Sequence, residues 1–367
     1  MQKDHARQRC IAPALRICTC AYVACFLGSV PAGAQRIGYC DSCESCSAML
    51  NGDYDIVILV ADITDATGWC IDFGADNVTF DGNGRVILGN GALVGIDFSN
   101  RHNVVVRNSV VLLFEYGIYG DFCHDVVVQE NSVLLCTCTG VYLGPGDGCA
   151  IVNNSLARNG VDNQFGAGIE LQGGTWDFLI SGNTLTENWQ GMLIMHAYQG
   201  VLVGNRVEGS IDSGIVLAGS DNAVYHNALI NNGQHATDYS GASNVWDGGY
   251  AEGGNFWSGH PNIDEFCGPE QTEAGSDAIC DQPYVTGGPG GAVDRYPLIR
   301  PILGPWNPCD LDFDGDVDFS EFETLAVCFS GPGIEPMLCC LRTDIDRDVG
   351  VDMADFALFQ VSFTGSP

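Results

Sequence analysis

The sequence is poor in basic residues. Only 14 of its 367 residues are lysine or arginine, whereas 46 are aspartate or glutamate, which gives a formal net charge of −32. A surface without clustered cations cannot displace the counterions of phosphate groups, so nucleic acid is excluded as a partner. The acidity instead favours calcium binding or contact with neutral or cationic partners. An acidic polymer would need bound calcium to bridge it to the protein.

A run of apolar residues long enough to span a bilayer is also missing. The apolar segment 17–30 is too short for a span, and it follows a basic stretch that contains Lys3, the single lysine. Small residues at 32–34 then form a cleavage site. Residues 1–34 are therefore expected to be a secretory signal, with no membrane span after cleavage and a secreted, periplasmic or cell-surface location. A retained membrane anchor is the alternative.

Cysteine is abundant beyond that segment. Of the 18 cysteines, 14 lie after residue 34, and export makes disulfides the default state for them. The C-x-x-C-x-x-C run at 40–46 could hold a metal, but disulfides are favoured because exported thiolates tend to be oxidised. Three local pairings are expected candidates: Cys267–Cys280, Cys309–Cys339 and Cys309–Cys340. Sequence alone leaves the connectivity open.

Amphipathic helical periodicity is missing between the repeats, which excludes leucine-rich and helical solenoids. A glycine followed by an apolar–x–apolar triplet recurs instead, in steps of 22 to 28 residues. The repeat glycines are Gly95, Gly117, Gly140, Gly168, Gly191 and Gly214. An asparagine column keeps pace at Asn108, Asn131, Asn154, Asn183, Asn205 and Asn227. An apolar residue follows each asparagine by two positions, beginning with Val110.

These three columns predict a mainly β solenoid, since so short a repeat must stack on its neighbours to bury its apolar side. Rungs of mostly 22 or 23 residues hold about three short strands each, so a parallel β-helix is expected. In each triplet the side chains of the first and third residues are expected to point into the core, and that of the middle residue towards solvent. The asparagines are expected at a turn, where their amides bond from rung to rung and satisfy backbone groups.

Two further stretches carry a family resemblance. Residues 78–84 resemble the first-rung signature of right-handed β-helix proteins of the pectin-lyase-like class. The segments 254–258, 281–285 and 294–299 are similar to those that end NosD-like β-helix proteins, although Cys267 and Cys280 lie in an insertion. The resemblance implies a right-handed helix. The bulky side chains of Phe256, Trp257, Tyr284 and Tyr296 are expected to plug its open end. The resemblance also implies a possible role as a periplasmic metal-handling factor, like the family's namesake.

Two acidic segments near the C-terminus have the spacing of EF-hand calcium loops. In the first, acidic residues occupy positions 1, 3, 5, 7, 9 and 12, and Gly315 at position 6 permits the sharp turn. Its expected ligands are Asp310, Asp312, Asp314, Asp316, Asp318 and Glu321. The second copy starts 34 residues later. Its expected ligands are Asp344, Asp346, Asp348, Asp352 and Asp355.

The second loop departs from the pattern. Val349 occupies position 6 and the glycine is displaced to Gly350. A β-branched residue resists the positive φ that glycine adopts easily, so weaker binding or a reshaped loop is expected. The apolar residue at position 8 of the first loop, Val317, is expected to pair the two loops.

Two calcium loops, each followed by one helix, resemble a type I dockerin over about residues 308–367. The resemblance implies docking onto a cohesin-type scaffold protein through positions 10 and 11 of each loop. Those residues are Phe319, Ser320, Met353 and Ala354. A calcium-stabilised cap without a partner is the alternative.

The predicted domain order follows from these features. It is a signal peptide (1–34), a cysteine-containing N-terminal cap (35–66), the β-helix repeats (67–243), an aromatic-rich closing segment with linker (244–304), and a dockerin-like calcium-binding domain (305–367). The cap is expected to contain a buried strand at 56–60.

The outward residues of the glycine strands include Asp97, Tyr119, Tyr142 and Glu170, a candidate ligand face for a sugar. The alternative is a purely structural role, in which the tyrosines form a ladder that stabilises the sheet. Rungs stack ~4.8 Å apart, so the two acids are expected roughly 14 Å apart. That exceeds the spacing of about 5–10 Å for a pair at a glycosidic bond, and no catalytic residue is assigned.

The function expected from all of these features is non-catalytic binding or scaffolding at an extracellular surface or polysaccharide. One alternative is a polysaccharide lyase or glycoside hydrolase tethered through its dockerin. Another is metal handling, for which His102 and His124 could stack but lack a third ligand.

Overall fold

The computed structural model describes residues 35–240, 243–302 and 307–365, and it shows a parallel β-helix. The expected signal segment lies outside these residues, as does the expected boundary between residues 304 and 305. No helix in the described part of the chain is long and apolar enough to cross a membrane.

The first face of the β-helix is a parallel sheet of nine short strands, numbered here along the chain. They are β1 (Ile37–Cys40), β2 (Ile56–Leu59), β4 (Thr79–Asp81), β6 (Val105–Arg107), β9 (Val127–Gln129), β13 (Ala150–Val152), β17 (Leu179–Ser181), β21 (Val201–Val203) and β24 (Ala223–Tyr225). Strand β2 buries only alternate residues, so the strand predicted at 56–60 is half-buried.

The other faces comprise a fourteen-stranded sheet, folded where β5 and β7 continue around a corner, and a four-stranded sheet. The larger sheet contains β3 (Trp69–Asp72), β5 (Val86–Asp97), β7 (Val110–Gly120), β10 (Ser132–Leu134), β11 (Thr139–Leu143), β14 (Ser155–Ala157), β15 (Ala167–Leu171), β18 (Thr184–Thr186), β19 (Gln190–Met195), β22 (Arg206–Glu208), β23 (Ser213–Ala218), β25 (Ala228–Ile230), β26 (Gln234–Asp238) and β27 (Phe256–Trp257). The smaller sheet contains β8 (Cys123–His124), β12 (Gly146–Asp147), β16 (Thr175–Trp176) and β20 (Ala197–Tyr198).

The repeat glycines lie where neighbouring rungs approach most closely. A Cβ atom on Gly140 would lie 2.7 Å from the carbonyl oxygen of Gly168 on the next rung and 2.9 Å from the amide nitrogen of Asn159. Such contacts are too short for any side chain. The apolar residues that follow the glycines, such as Val141 and Ile169, are paired in register and fully buried.

The asparagine column is a hydrogen-bonded ladder, as predicted. Asn183 is representative: its Oδ1 accepts from the backbone N–H of Asn154 at 2.9 Å, and its Nδ2 donates to the carbonyl of Ile151 at 2.8 Å. The ladder continues past Asn227 to Asn255, and the carboxylate of Asp294 accepts the last bonds. An aspartate fits this end because a carboxylate only accepts hydrogen bonds.

The predicted ladder is wrong by one residue at its first rung. The strand register aligns Val111, not Val110, with Val133. Ser109, not Asn108, donates its N–H to Asn131 Oδ1, and Asn108 instead has a positive φ of 52°. An Asn-Ser pair offers two polar residues in sequence, and only the register decides which one enters the ladder.

The two ends of the β-helix are covered differently. At the N-terminal end the short helix α1 (Cys43–Leu50) packs on the first rungs, held by the disulfides Cys40–Cys46 and Cys43–Cys70. At the other end Trp257 stacks on Tyr284 with ring centroids 3.9 Å apart. Trp246, which the sequence reading missed, is also fully buried there. Two antiparallel pairs complete this end: β28 (Phe266–Cys267) with β29 (Glu273–Ala274), and β30 (Tyr284–Val285) with β31 (Val293–Asp294).

The C-terminal module contains α2 (Phe319–Cys328), a 3₁₀ helix (Leu338–Thr343) and α3 (Met353–Ser362). It has its own small core, in which Val317, Leu325, Val351 and Phe359 are buried. Both α-helices begin with a capping box: Asp318 caps α2 and Asp352 caps α3.

The module is packed against the closing segment of the β-helix. A disulfide joins Cys267 to Cys339, and a second one joins Cys328 to Cys340. All three local pairings expected from the sequence are therefore wrong, and Cys280 and Cys309 are buried free thiols. The closing segment and the 3₁₀ helix lie far apart in sequence but side by side in the fold, so neighbouring positions along the chain were a poor guide to pairing.

Hydrogen bonds reinforce this packing. The Tyr250 hydroxyl donates to the carbonyl of Leu338 at 2.9 Å. The Arg342 guanidinium donates to the carbonyl of Asp277 at 2.9 Å and lies over the ring of Phe313. The described module therefore sits on the end of the β-helix and is not a loosely tethered domain.

Candidate functional sites: an aromatic groove and two acidic loops

The outward column of the glycine strands has the predicted register. Asp97 pairs with Tyr119, Tyr119 with Tyr142, and Tyr142 with Glu170 on successive strands. The rings of the two tyrosines stack with centroids 4.7 Å apart and planes 7° apart. The sequence therefore predicted correctly which side chains share this face.

The burial of Asp97 contradicts its expected place in the ligand face. Asp97 is 5% exposed, and its Oδ1 accepts hydrogen bonds from the backbone and hydroxyl of Ser99. Burial raises the pKa of its carboxyl, although the bonds from Ser99 oppose that shift. Asp97 is thus an internal structural group and does not offer its carboxylate to a ligand.

The remaining three residues of the column line an open groove of about 380 Å³. It lies across β3, β5, β7, β11 and β15. The full lining is Trp69, Leu93, Val94, Glu115, Tyr116, Tyr119, Tyr142, Phe165, Glu170 and Gln172. A concave site of this size that combines aromatic rings with a few polar groups is typical of ligand-binding sites.

The ring surfaces that a ligand could cover belong mainly to two residues that sequence reasoning missed. Because Tyr119 and Tyr142 stack on each other, each already uses one ring face. Trp69 is 54% exposed and Phe165 is 60% exposed, and both line the groove. An exposed aromatic ring in a groove offers an apolar surface for the flat side of a sugar.

Sequence signals for both residues were present. Trp69, Val94 and Tyr116 form a second column, and the strand register pairs them in that order. Val94 and Tyr116 each precede a repeat glycine, and Trp69 precedes Cys70, which stands where the later rungs have that glycine. Phe165 lies in the five residues by which the step from Gly140 to Gly168 exceeds the usual 23. An enlarged rung of a solenoid places its extra residues in a surface loop, which is where binding residues concentrate.

The two glutamates of the groove differ in their surroundings. Glu170 is buried, and its oxygens contact the Thr139 hydroxyl at 2.6 Å and the Gln172 amide. Glu115 is half-buried, and no described residue pairs with its carboxylate through a hydrogen bond or an ion pair. Glu115 therefore has a free hydrogen-bonding capacity that a ligand can use.

Burial and nearby carboxylates both raise the pKa values of the two stacked tyrosines. Burial raises the pKa of Tyr142 to about 12, and Tyr119, Asp121 and Glu170 act in the same direction. Burial also raises the pKa of Tyr119, with Asp121, Asp97 and Glu170 contributing. These hydroxyls stay protonated and can donate hydrogen bonds across the whole physiological pH range.

The histidine pair lies on the four-stranded face. His102 and His124 stack with ring centroids 4.8 Å apart, as expected, and His124 Nδ1 contacts the carboxylate of Asp147. A metal bound by imidazole lies in the plane of the ring, so two parallel rings stacked face to face do not converge on one ion. In the described part of the chain, every group of three potential metal ligands consists of carboxylates alone.

The acidic loops bring three carboxylates together in each copy. Asp310, Asp312 and Glu321 have ligand oxygens within 4.8 Å of one another, and so do Asp344, Asp346 and Asp355 in the second loop. These are positions 1, 3 and 12 of the predicted loops. Of the other expected ligands, Asp316 and Asp318 form a further group with Glu321, whereas Asp314, Asp348 and Asp352 belong to none.

The first loop contains buried oxygens without a partner. Asp310 Oδ1, Asp316 Oδ1 and Glu321 Oε1 are buried, and no described group donates a hydrogen bond to them. Burial raises the pKa of Asp310 to about 6 and that of Glu321 to about 7, and neighbouring aspartates add to both shifts. Buried acceptors normally have partners, so these atoms fit a bound cation. An all-oxygen donor set suits a hard cation such as calcium and does not suit copper.

The two loops are related by an internal pseudo-symmetry. The N–H of Val317 donates to the hydroxyl of Thr364 at 2.8 Å, and the N–H of Val351 donates to the hydroxyl of Ser330 at 3.0 Å. Each loop is thereby tied to the segment that follows the other loop's helix. Val317, the residue expected to pair the two loops, is buried in the same small core as Val351, which is position 8 of the second loop.

Val349 has a φ of 73°, in the left-handed region that Gly315 occupies in the first loop with a φ of 97°. The displaced Gly350 is needed where it stands, because a Cβ atom there would lie 2.5 Å from the carbonyl oxygen of Gly331. The second loop thus keeps the turn of the first one and carries the strain of a β-branched residue.

Val349→Gly is expected to stabilise the protein by about 1 kcal/mol, because it relieves left-handed strain at an exposed side chain. Thermal unfolding of the full chain would measure this. Val361→Gly is the matched control: Val361 is exposed on α3, so glycine there should destabilise by about 1 kcal/mol. Equal destabilisation by both changes would show that Val349 is not strained.

The four expected docking residues lie at the start of α2 and α3. Phe319 and Met353 are 69% and 65% exposed. Beside them an apolar groove of about 320 Å³ runs between the helices, lined by Phe319, Phe322, Phe356, Phe359, Gln360 and Phe363. The module therefore presents an open aromatic surface next to these positions.

Comparison with known proteins identifies one family. The family described as "Periplasmic copper-binding protein (NosD)" matches residues 67–261, which is more than half of the chain. No curated protein matches the chain.

Three solved structures are similar in fold. The Dettilon tailspike protein is 14% identical, with a TM-score of 0.38 over 52% of this chain and 57% of the tailspike chain. The periplasmic alginate epimerase AlgG is 15% identical, with a TM-score of 0.40 over 50% of this chain and 48% of the epimerase. The alginate lyase of Paenibacillus sp. is 12% identical, with a TM-score of 0.38 over 57% of this chain and 94% of the lyase. The match thus spans about half the length of the first two proteins, and the likeness concerns the fold alone.

Proposed function

This chain belongs to the NosD family, and we propose that it is an exported protein that binds a polysaccharide in its aromatic groove without cleaving it. The observation that carries the proposal is the presence of two exposed rings, Trp69 and Phe165, in one groove with stacked tyrosines and glutamates. The proposal also includes calcium bound in the two C-terminal acidic loops.

The groove supplies the two kinds of contact that sugar recognition needs. Trp69 and Phe165 offer apolar ring surface, which is the largest source of binding energy per residue in such sites. The hydroxyls of Tyr119 and Tyr142 and the carboxylate of Glu115 offer hydrogen bonds that fix orientation. Because the rungs are parallel, these groups follow the helix axis, the direction in which a chain of sugars can lie.

Non-catalytic binding is favoured over lyase or hydrolase activity. The carboxylate of Glu170 is already engaged by Thr139 and Gln172 and is not placed to act as an acid or a nucleophile. No histidine, lysine or arginine lines the described groove, and burial keeps the hydroxyls of Tyr119 and Tyr142 protonated. Glu115 is therefore the lining residue that a lyase reaction would have to use as its base. The rival enzyme hypothesis predicts that the protein forms new reducing or unsaturated ends in one of a panel of polysaccharides, and that Glu115→Gln or Glu170→Gln abolishes this product.

Calcium fits the acidic loops because carboxylate oxygens converge in each loop, and because buried oxygens of the first loop have no described donor. Asp310, Asp312 and Glu321 would hold it in the first loop, and Asp344, Asp346 and Asp355 in the second. A bound divalent cation would neutralise carboxylates that otherwise repel one another within each loop.

The exposed face of the C-terminal module supports a dockerin-like role within the same proposal. Phe319, Ser320, Met353 and Ala354 would contact a cohesin-type scaffold protein. The disulfide Cys267–Cys339 would then transmit the position of that partner directly to the β-helix. The alternative, a cap without a partner, is supported by the packing of the module on the closing segment.

Trp69→Ala is expected to weaken polysaccharide binding about tenfold or more, because the change removes an exposed ring that faces the ligand. Affinity electrophoresis of the full chain in gels that contain different polysaccharides would measure this. Trp176→Ala is the matched control, since Trp176 is a similarly exposed tryptophan on the four-stranded face, where it stacks on Tyr198. The polysaccharide should retard the Trp176→Ala variant but not the Trp69→Ala variant. If both variants lose the retardation equally, or if neither loses it, the groove is not the binding site.

A further inference from the structure

The charges around the groove are all negative. Glu115 and Glu170 line it, Asp97 and Asp121 act on its tyrosines, and no cationic side chain is among the described residues that form it. The described arginines mostly pair with acids elsewhere, as Arg107 does with Asp81 and Arg206 with Glu208. A groove in this setting repels anionic sugars and attracts cations.

Glu115 is the negatively charged group of the groove that can bind a ligand directly. Its half-buried carboxylate has no partner among the described residues, whereas Glu170 is satisfied internally by Thr139 and Gln172. A half-buried carboxylate without a protein partner keeps its acceptor sites free for a ligand. A neutral sugar can give Glu115 only hydroxyl hydrogen bonds, but a protonated amine gives it a charge-assisted one.

The exposed aromatic rings favour the same class of ligand. A cation within about 6 Å of a tryptophan or tyrosine ring is attracted to the face of that ring. Trp69 and Tyr116 are close enough to Tyr119 to make edge-on contacts with it, at centroid distances of 6.3 and 5.4 Å. An amino group bound to Glu115 would lie in the same groove as these rings.

From these observations, and resting on the proposed function, we propose that the groove is specific for glycans that carry protonated amino groups, such as chains of 2-amino-2-deoxyhexose. The apolar faces of the sugar rings would stack on Trp69 and Phe165. An ammonium group would pair with Glu115. Uronate chains would be excluded by like charge.

The test uses calorimetry on the full chain with four hexasaccharides: glucosamine, N-acetylglucosamine, glucose and a uronic acid. At low ionic strength the glucosamine hexamer should bind about tenfold more tightly than the acetylated one, and the uronate should not bind. Raising the salt concentration should reduce this preference. Glu115→Gln should bring the glucosamine hexamer to the affinity of the acetylated one, whereas Trp69→Ala should weaken both together.

Glu130→Gln is the matched control, since Glu130 lies at the edge of the nine-stranded face, outside the groove lining. It should leave all four affinities unchanged. Equal binding of the glucosamine and acetylated hexamers, with both lost in Trp69→Ala, would overturn the amino-sugar specificity and leave the binding groove intact. Binding that is insensitive to Trp69→Ala, or no binding of any glycan, would overturn the proposed function itself.

Discussion

Saturating calcium is expected to raise the thermal midpoint of the C-terminal module by about 10–20 °C, and a chelator is expected to reverse the increase. A ligand at a hundred times its dissociation constant adds about 2.7 kcal/mol of stability, and ~1 kcal/mol shifts a domain of this size by about 4–8 °C. The physical reason is the set of buried oxygens on Asp310, Asp316 and Glu321 that no described group satisfies. Calorimetric titration and thermal unfolding of the full chain measure the effect.

Two variants separate the loops. Asp310→Asn keeps the size of the first ligand and removes its charge, so one of two calcium-binding events should disappear from the titration. Asp344→Asn should remove the other one, and the loop in which Val349 stands at position 6 should show the weaker affinity. Asp162→Asn, at an exposed aspartate of the β-helix, serves as the control. Unchanged calcium binding in both loop variants would refute the assignment, as would a calcium-independent midpoint in the wild-type chain.

The fold of the β-helix was predictable because stacking constrains the sequence at every rung. Glycine is required where backbones approach, an apolar residue where the core is filled, and asparagine where the turn leaves backbone groups unpaired. Those demands repeat with the period of the helix, so they show as columns. The same columns predicted that Tyr119, Tyr142 and Glu170 share one face of the β-helix, and the strand register pairs them there.

What could not be predicted lies where periodicity ends. Phe165 belongs to a rung insertion, and the long-range disulfide Cys267–Cys339 joins segments whose contact depends on how the module packs. The exchange of Asn108 for Ser109 in the ladder depends on strand register at a single rung. Each of these follows from a contact that is specified by tertiary structure and not by local pattern.

The acidic loops are an intermediate case. Their spacing predicted which carboxylates converge, and positions 1, 3 and 12 do so in both copies. It did not predict that Asp318 and Asp352 would serve as helix N-caps, accepting hydrogen bonds from Ser320 and Ala354. A carboxylate that caps a helix satisfies a backbone donor that would otherwise be unpaired, so position 9 is conserved between the loops of this chain for a reason independent of calcium.

Asn183→Leu is expected to cost ~3–9 kcal/mol, a large part of the stability of a typical domain. The leucine has a similar volume but cannot accept from Asn154 or donate to the carbonyl of Ile151 and to Asn205. At least three buried polar groups on neighbouring rungs would lose a partner, at about 1–3 kcal/mol each. The midpoint of urea unfolding of the full chain measures the loss.

Asn163→Leu is the matched control, because Asn163 is exposed and donates a single bond, to the carbonyl of Thr137 at 3.0 Å. It should change stability by less than about 1 kcal/mol. Asn183→Ser, which leaves a shorter polar side chain in the ladder, should fall between the two and keeps the test informative if the leucine variant does not accumulate. Equal midpoints for Asn183→Leu and Asn163→Leu would mean that the turn satisfies its backbone without the ladder. The asparagine column would then be a consequence of the β-helix and not one of its causes.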